Sequence, residues 1–208
     1  TLAYALKNVE AKVLVCVTPP VYHRPVLVEA MENGLDVISE KPMADSIEDC
    51  LSIMKTAHST GRKCVISQNY RYKPGPWTMA RLVEKGKVGQ IGQMQIDFYL
   101  GRYFEGFRQT MPYPLIIDMA IHHFDLIRYI SGLNPVSVRG VSWNPPWSSF
   151  EGDSSASLVF EMENGVRVVY NGSWSAKGQF SDWEANWHIE GEKGVVLYEK
   201  GGLALVST

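Results

Sequence analysis

The segment Asp118-Met119-Ala120-Ile121-His122-His123-Phe124-Asp125 concentrates ionisable side chains in apolar surroundings. At about 100° per residue, with Asp118 at zero, His122 falls at about 40° and Asp125 at about −20°, so the three share one narrow stripe of a helix. The rest of the circumference carries Met119, Ala120, Ile121, Phe124, Leu126, Ile127 and Ile130, which places the helix inside the protein. Burying an unpaired carboxylate or imidazolium costs several kcal/mol, so the stripe must be internally paired or face a polar cleft. Two readings stand at this point. One is a structural hydrogen-bond network; the other is a proton-transfer site centred on His122, whose imidazole suits proton transfer near neutrality and has a carboxylate one turn away on each side. His123 points about 140° around the wheel, into the apolar arc, and reads as a hydrogen-bonded core histidine. A metal site is the weaker reading. Asp118, His122 and Asp125 match no closed zinc pattern and no cysteine is nearby, so no metal is expected.

Lys41 is the second chemical candidate. It follows a short strand, Leu35 to Ser39, at the carboxyl edge where open parallel sheets place their ligands. Pro42 restricts Lys41 to extended conformations and is the residue type before which a cis peptide is cheap. The competing reading is an ordinary exposed lysine in a turn. Thr18-Pro19-Pro20, with Tyr22-His23, ends the preceding strand at the same edge, so the two strand ends border one crevice.

The elements that position these residues follow from periodicity. Ala11 to Val17 is apolar at nearly every position, the pattern of a parallel strand covered on both faces. A helix from Arg24 to Asn33, the strand before Lys41, a helix capped by Ser46 and closed by Gly61, and a strand from Lys63 to Ser67 complete a right-handed, doubly wound arrangement. Thr1 to Asn8 reads as the end of a further helix. After Asn69 the pattern changes. A helix spans Pro74 to Lys87, an alternating strand spans Ile91 to Tyr103, and strands at Val136 to Trp143, Ser155 to Met162, Val166 to Ser175, Trp183 to Glu190 and Gly194 to Tyr198 follow the buried helix. The expected fold class is α/β: part of a Rossmann-type parallel sheet over residues 1–68, then an α+β domain over 69–208 with an open, mainly antiparallel sheet.

Composition excludes several functions. Of 208 residues, 20 are Lys or Arg and 22 are Asp or Glu, a net charge of −2 without a basic tract, so there is no electrostatic footprint for nucleic acid. With 45% apolar and 11% aromatic residues the chain is globular rather than disordered, and no apolar run approaches the roughly 20 residues of a membrane helix. Cys16, Cys50 and Cys64 are widely spaced, read as reduced core thiols, and with no export signal point to the cytoplasm.

Val17-Thr18-Pro19 with His23, Glu40-Lys41-Pro42, Asn69-Tyr70-Arg71 and Asp118-x-x-x-His122-x-x-Asp125, in this order, resemble the Gfo/Idh/MocA family of NAD(P)-dependent oxidoreductases over nearly the whole chain. The resemblance weights the helix stripe toward catalysis. It implies a Rossmann domain and a second domain whose open sheet mediates homodimers or homotetramers, with NAD or NADP as cofactor and a sugar or cyclic polyol as substrate. It implies Lys41 at the reacting oxygen, Asp118 orienting substrate and histidine, and His122 as general base. Thr18, Pro19, His23, Glu40, Lys41, Gln68 and Asn69 would border the cofactor, and Tyr99, Arg102 and Trp174 are further candidates for the substrate. The same residues would serve an NAD-dependent glycosidase acting by transient oxidation. A third reading is a non-catalytic assembly protein, for which Trp143, Trp147, Trp174, Trp183 and Trp187 supply large rings that otherwise pack a core.

One departure is large: the chain has no G-x-G-x-x-G turn to hold a pyrophosphate, nor the acidic residue that follows it. Gly86 to Gly89 and Gly191 to Gly194 are not strand-to-helix turns. With Thr1 to Asn8 reading as a cut helix and Val206-Ser207-Thr208 lacking a stop signal, the expectation is a piece of a longer dehydrogenase that alone binds NAD(P) weakly or not at all.

Overall fold

A computed structural model describes residues 2–178 and 180–207; Thr1 and Thr208, the outermost residues of the expected terminal segments, lie outside them. The chain forms two compact units, residues 1–68 and 69–208.

In the first unit, helix α1 (Leu2–Leu6) precedes β1 (Val13–Cys16), α2 (His23–Glu32), β2 (Asp36–Ser39), α3 (Ile47–Thr60) and β3 (Cys64–Ile66). The three strands are parallel in the order β1-β2-β3, in register through Val15, Ile38 and Val65. Ser46 caps α3 by accepting a hydrogen bond from the Asp49 amide, and Gly61 ends it in the left-handed conformation. Cys16 and Val37 pack with Leu27, Ala30, Met31 and Ile53 of the helices into one core. The opposite face differs from the sequence expectation. Val15, Ile38 and Val65, side by side across the sheet, are 64%, 41% and 52% exposed, so the parallel sheet is covered on one face only within the described residues. The apolar pattern anticipates two covers, and the chain's own helices supply one.

The second unit runs α4 (Pro74–Glu84), β4 (Ile91–Tyr99), a π-helical segment (Leu115–Ala120), α5 (Ile121–Ser131), β5 (Pro135–Trp143), β6 (Ser155–Met162), β7 (Arg167–Ser173), β8 (Asn186–Gly191), β9 (Gly194–Glu199) and β10 (Gly202–Ser207). Its seven strands lie in the order β10-β9-β8-β4-β7-β6-β5, antiparallel throughout except for the central β4–β7 pair. Met94, Ile96 and Phe98 of β4 are buried beside Val168, Tyr170 and Ile189, while the alternate positions Gln93, Gln95 and Asp97 face outward, as their alternation requires. Four readings of the sequence are refined. The β4–β7 pair is parallel, β10 is an additional edge strand, and residues 182–185 form a turn rather than the start of β8. The stripe helix begins as a π-helix, so Asp118 sits in a wider turn than the 3.6-residue wheel assumes.

Candidate active site

Each unit carries part of the chemistry the sequence singles out. In the first unit, Thr18 and Pro19 follow β1, Glu40 and Lys41 follow β2, and Gln68 follows β3, all at the carboxyl edge of the sheet. Thr18, Pro19 and Glu40 are exposed, whereas Lys41 and Gln68 are half-buried. His23, at the start of α2, is fully buried. Its two ring nitrogens lie 2.8 Å from the Thr18 carbonyl and 2.9 Å from the Pro42 carbonyl, bracing the two strand-end turns against each other. His23 therefore shapes the crevice instead of lining it. The Lys41–Pro42 peptide is cis.

In the second unit the stripe is buried as its apolar surroundings demand: Asp118 is 4% and His122 6% exposed. Both carboxylates meet arginines. Arg108 Nε donates to Asp118 Oδ2 at 2.7 Å, and Arg71 clamps Asp125 through two bonds of 2.6 and 2.5 Å. A bidentate guanidinium–carboxylate pair has the geometry that compensates a buried charge. Arg108 was illegible in the sequence, because it comes from a single 3-10 turn, Gly106–Arg108, ten residues upstream. His122 stacks on Tyr70, ring centroids 4.1 Å apart and planes within 6°. Burial pushes the Tyr70 hydroxyl well above its ordinary pKa, with help from the charges of Glu184 and Asp118, so the phenol stays neutral.

His123 is the core histidine the wheel predicts. It is fully buried, donates from Nε2 to the Trp183 carbonyl at 2.9 Å, and accepts from the Tyr170 hydroxyl at Nδ1 at 3.1 Å. Desolvation lowers its pKa to about 4. Tyr99 ends β4 and is 39% exposed; burial and then Asp97 raise its hydroxyl pKa. Arg102 packs over the Trp183 ring and lines a cleft of about 360 Å³ with Tyr103, Trp147, Ser175, Lys177 and Phe180. Trp174 is 2% exposed, packed against Phe104 and Phe150, and its buried Nε1 has no hydrogen-bond partner among the described residues. Of the other rings, Trp187 is core whereas Trp143 and Trp147 are 45% and 59% exposed. Among the described residues no group of three or more His, Cys, Asp or Glu could hold a metal ion, and no helix is long and apolar enough to cross a membrane.

Two family descriptions match this chain: "Oxidoreductase family, NAD-binding Rossmann fold" over residues 1–68, and "GFO/IDH/MocA C-terminal domain" over residues 77–197. The chain belongs to the Gfo/Idh/MocA family. Among curated proteins it is 28% identical over 202 residues to the uncharacterized protein y4oX of Sinorhizobium fredii, covering 95% of this chain and 56% of that protein. It is 32% identical over 170 residues to an inositol 2-dehydrogenase of Corynebacterium glutamicum, covering 80% of this chain and 48% of the relative. The chain thus spans about half the length of these two relatives. Among solved structures, an oxidoreductase domain protein of Kribbella flavida superposes with a TM-score of 0.88 at 18% identity, over all of this chain and 60% of that one. That likeness establishes the fold of this Gfo/Idh/MocA member.

Proposed function

We propose that this Gfo/Idh/MocA chain serves an oxidoreductase that moves a hydride between a secondary alcohol of a sugar or cyclic polyol and NAD(P). The observation that carries the reading is the burial of both Asp118 and His122, Asp118 held by Arg108 and His122 stacked on Tyr70, in a chain related to an inositol dehydrogenase. An alcohol gives up a hydride only as its hydroxyl proton leaves, so the reaction needs a base and a cationic group at the developing alkoxide character. His122 is the base. Asp118, held by Arg108, orients it, and Lys41 donates to the reacting oxygen.

The residues present fit one side of a dinucleotide. Thr18, Pro19, Glu40, Lys41, Gln68 and Asn69 offer the polar edge that doubly wound sheets present to a nicotinamide nucleotide, which supplies the hydride acceptor when bound. His23 contributes by bracing two of these turns. The pyrophosphate turn is absent from these 208 residues. The chain alone therefore binds NAD(P) weakly, and micromolar affinity in an NADH fluorescence titration would overturn that statement. Tyr99 and Arg102 complete the substrate side in this reading, whereas Trp174, 2% exposed and packed on Phe104 and Phe150, is a core ring and does not reach it. The outer face of the seven-stranded sheet, with Val141, Trp143, Val159 and Leu197 exposed, pairs copies into dimers or tetramers.

The test is turnover of myo-inositol, other cyclic polyols and aldoses with NAD+ or NADP+, on the longest natural chain carrying these residues, with His122→Asn as the control. Loss of about 10²- to 10⁴-fold is expected for a general base. Turnover within a few-fold of the parent would refute the assignment.

A further inference from the structure

We propose that Glu184, Lys73 and Tyr70 form a column that fixes the plane of the His122 imidazole, so that Tyr70 is a positioning residue for the base. The inference rests on the general-base reading of His122. A histidine ring turns about a broad, weakly preferred terminal torsion, so nothing intrinsic to the side chain fixes where its nitrogens point. A base must nevertheless hold a nitrogen within hydrogen-bond reach of the proton it removes.

The second unit supplies the constraint. The His122 ring lies parallel on one face of Tyr70, centroids 4.1 Å apart, and the Lys73 ammonium lies 4.0 Å from the same Tyr70 centroid. Lys73 therefore packs on the same ring that carries His122. Lys73 is in turn held by Glu184 through a 2.7 Å ion pair. The attraction between an ammonium and the negative face of an aromatic ring holds Tyr70 in place as the surface on which the imidazole rests.

Glu184 is itself anchored. Its carbonyl accepts from Trp187 Nε1 at 2.6 Å, and the turn is closed by the Ala185 amide donating to the Asp182 carbonyl at 3.1 Å. Ala185 is fully buried with φ at +66°, a left-handed conformation that a non-glycine residue holds only when its surroundings impose it. Trp183, the residue before Glu184, supplies the carbonyl that takes the His123 Nε2 bond. One turn, 60 residues downstream of His123 at Trp183, thus reaches both adjacent histidines, His123 directly and His122 through Lys73 and Tyr70.

Nuclear magnetic resonance of the histidine ring protons together with steady-state kinetics on myo-inositol and NAD+ tests the column. In the parent, the His122 ring protons should be shielded by the Tyr70 ring current. Tyr70→Leu should remove that shielding and lower kcat by about 10- to 100-fold, as misplacement of a reacting group does, with KM for the polyol little changed. Tyr70→Phe should restore the shielding and most of kcat. Glu184→Gln, which leaves the ring in place and removes only the backing charge, should broaden the His122 signals and lower kcat in the same direction by less, and it decides the matter if Tyr70→Leu fails to fold. Unshielded His122 protons in the parent, or a folded Tyr70→Leu whose kcat equals the parent's, would overturn the proposal. The general-base reading fails separately, if His122→Asn retains turnover.

Discussion

The two sheets answer the same physical demand differently. In the second unit the inward positions of β4 are covered: Met94, Ile96 and Phe98 are at most 1% exposed, and the polar alternates face out. In the first unit β1 to β3 are apolar on both faces, yet Val15, Ile38 and Val65 remain open. A half-covered antiparallel sheet is finished by one layer of helices, whereas a parallel sheet with apolar residues on both faces is not. The second unit consequently buries the apolar face of its central strand, whereas the first leaves one apolar face of its parallel sheet exposed.

That contrast can be broken by mutation. Ile96→Ala should destabilise by about 2–5 kcal/mol, the usual result of emptying a packed site, measured by urea unfolding of the second unit's transition. A similar result for Val15→Ala would show that the open face is in fact covered. The fully buried His123 sets the next largest effect. Its pKa falls from 6.5 to about 4 on folding, so the unfolded chain binds the extra proton first as pH drops. Its stabilisation is complete above pH 6.5 and is lost progressively toward pH 4, by up to about 3 kcal/mol. His123→Phe should flatten that pH dependence while also losing the Tyr170 and Trp183 bonds; an unchanged slope in pH-dependent denaturation would contradict the buried neutral ring. Removing the Asp125 clamp with Arg71→Met should cost about 1–3 kcal/mol, because a largely buried carboxylate is left short of its donors. The smallest effect belongs to the open sheet face. Val15→Thr with Ile38→Thr should change stability by no more than about 0.5 kcal/mol per site while reducing binding of a hydrophobic dye. A large destabilisation there would erase the difference between the two sheets.

Much of this was readable along the chain. Ser46 and Gly61 mark the ends of α3 because capping chemistry is local, and the alternation of β4 marks which face is buried because the period of two is local. The burial of Asp118 and His122 followed from the apolar arc around them. What escaped was whatever depends on partners distant in sequence or on non-ideal backbone. The π-helical turn under Asp118 leaves no periodic signature, Arg108 reaches Asp118 from a single 3-10 turn too short to show a period, and the 182–185 turn reads as strand because Trp183 and Ala185 are apolar. The exposed β10, opened by Gly202 with Gly201 before it, shows in the sequence as a tail.

Residue types and spacing by themselves determined that an imidazole between carboxylates lies buried on one helix, that a lysine stands at a strand end before proline, and that the chain splits its architecture between a parallel and an alternating sheet. Only the tertiary structure decided which arginines neutralise the two carboxylates, which ring His122 rests on, and which sheet face stays bare. Spacing along a helix or strand is a property of the local chain, but pairing a buried charge or covering an apolar face requires groups that folding alone brings within reach.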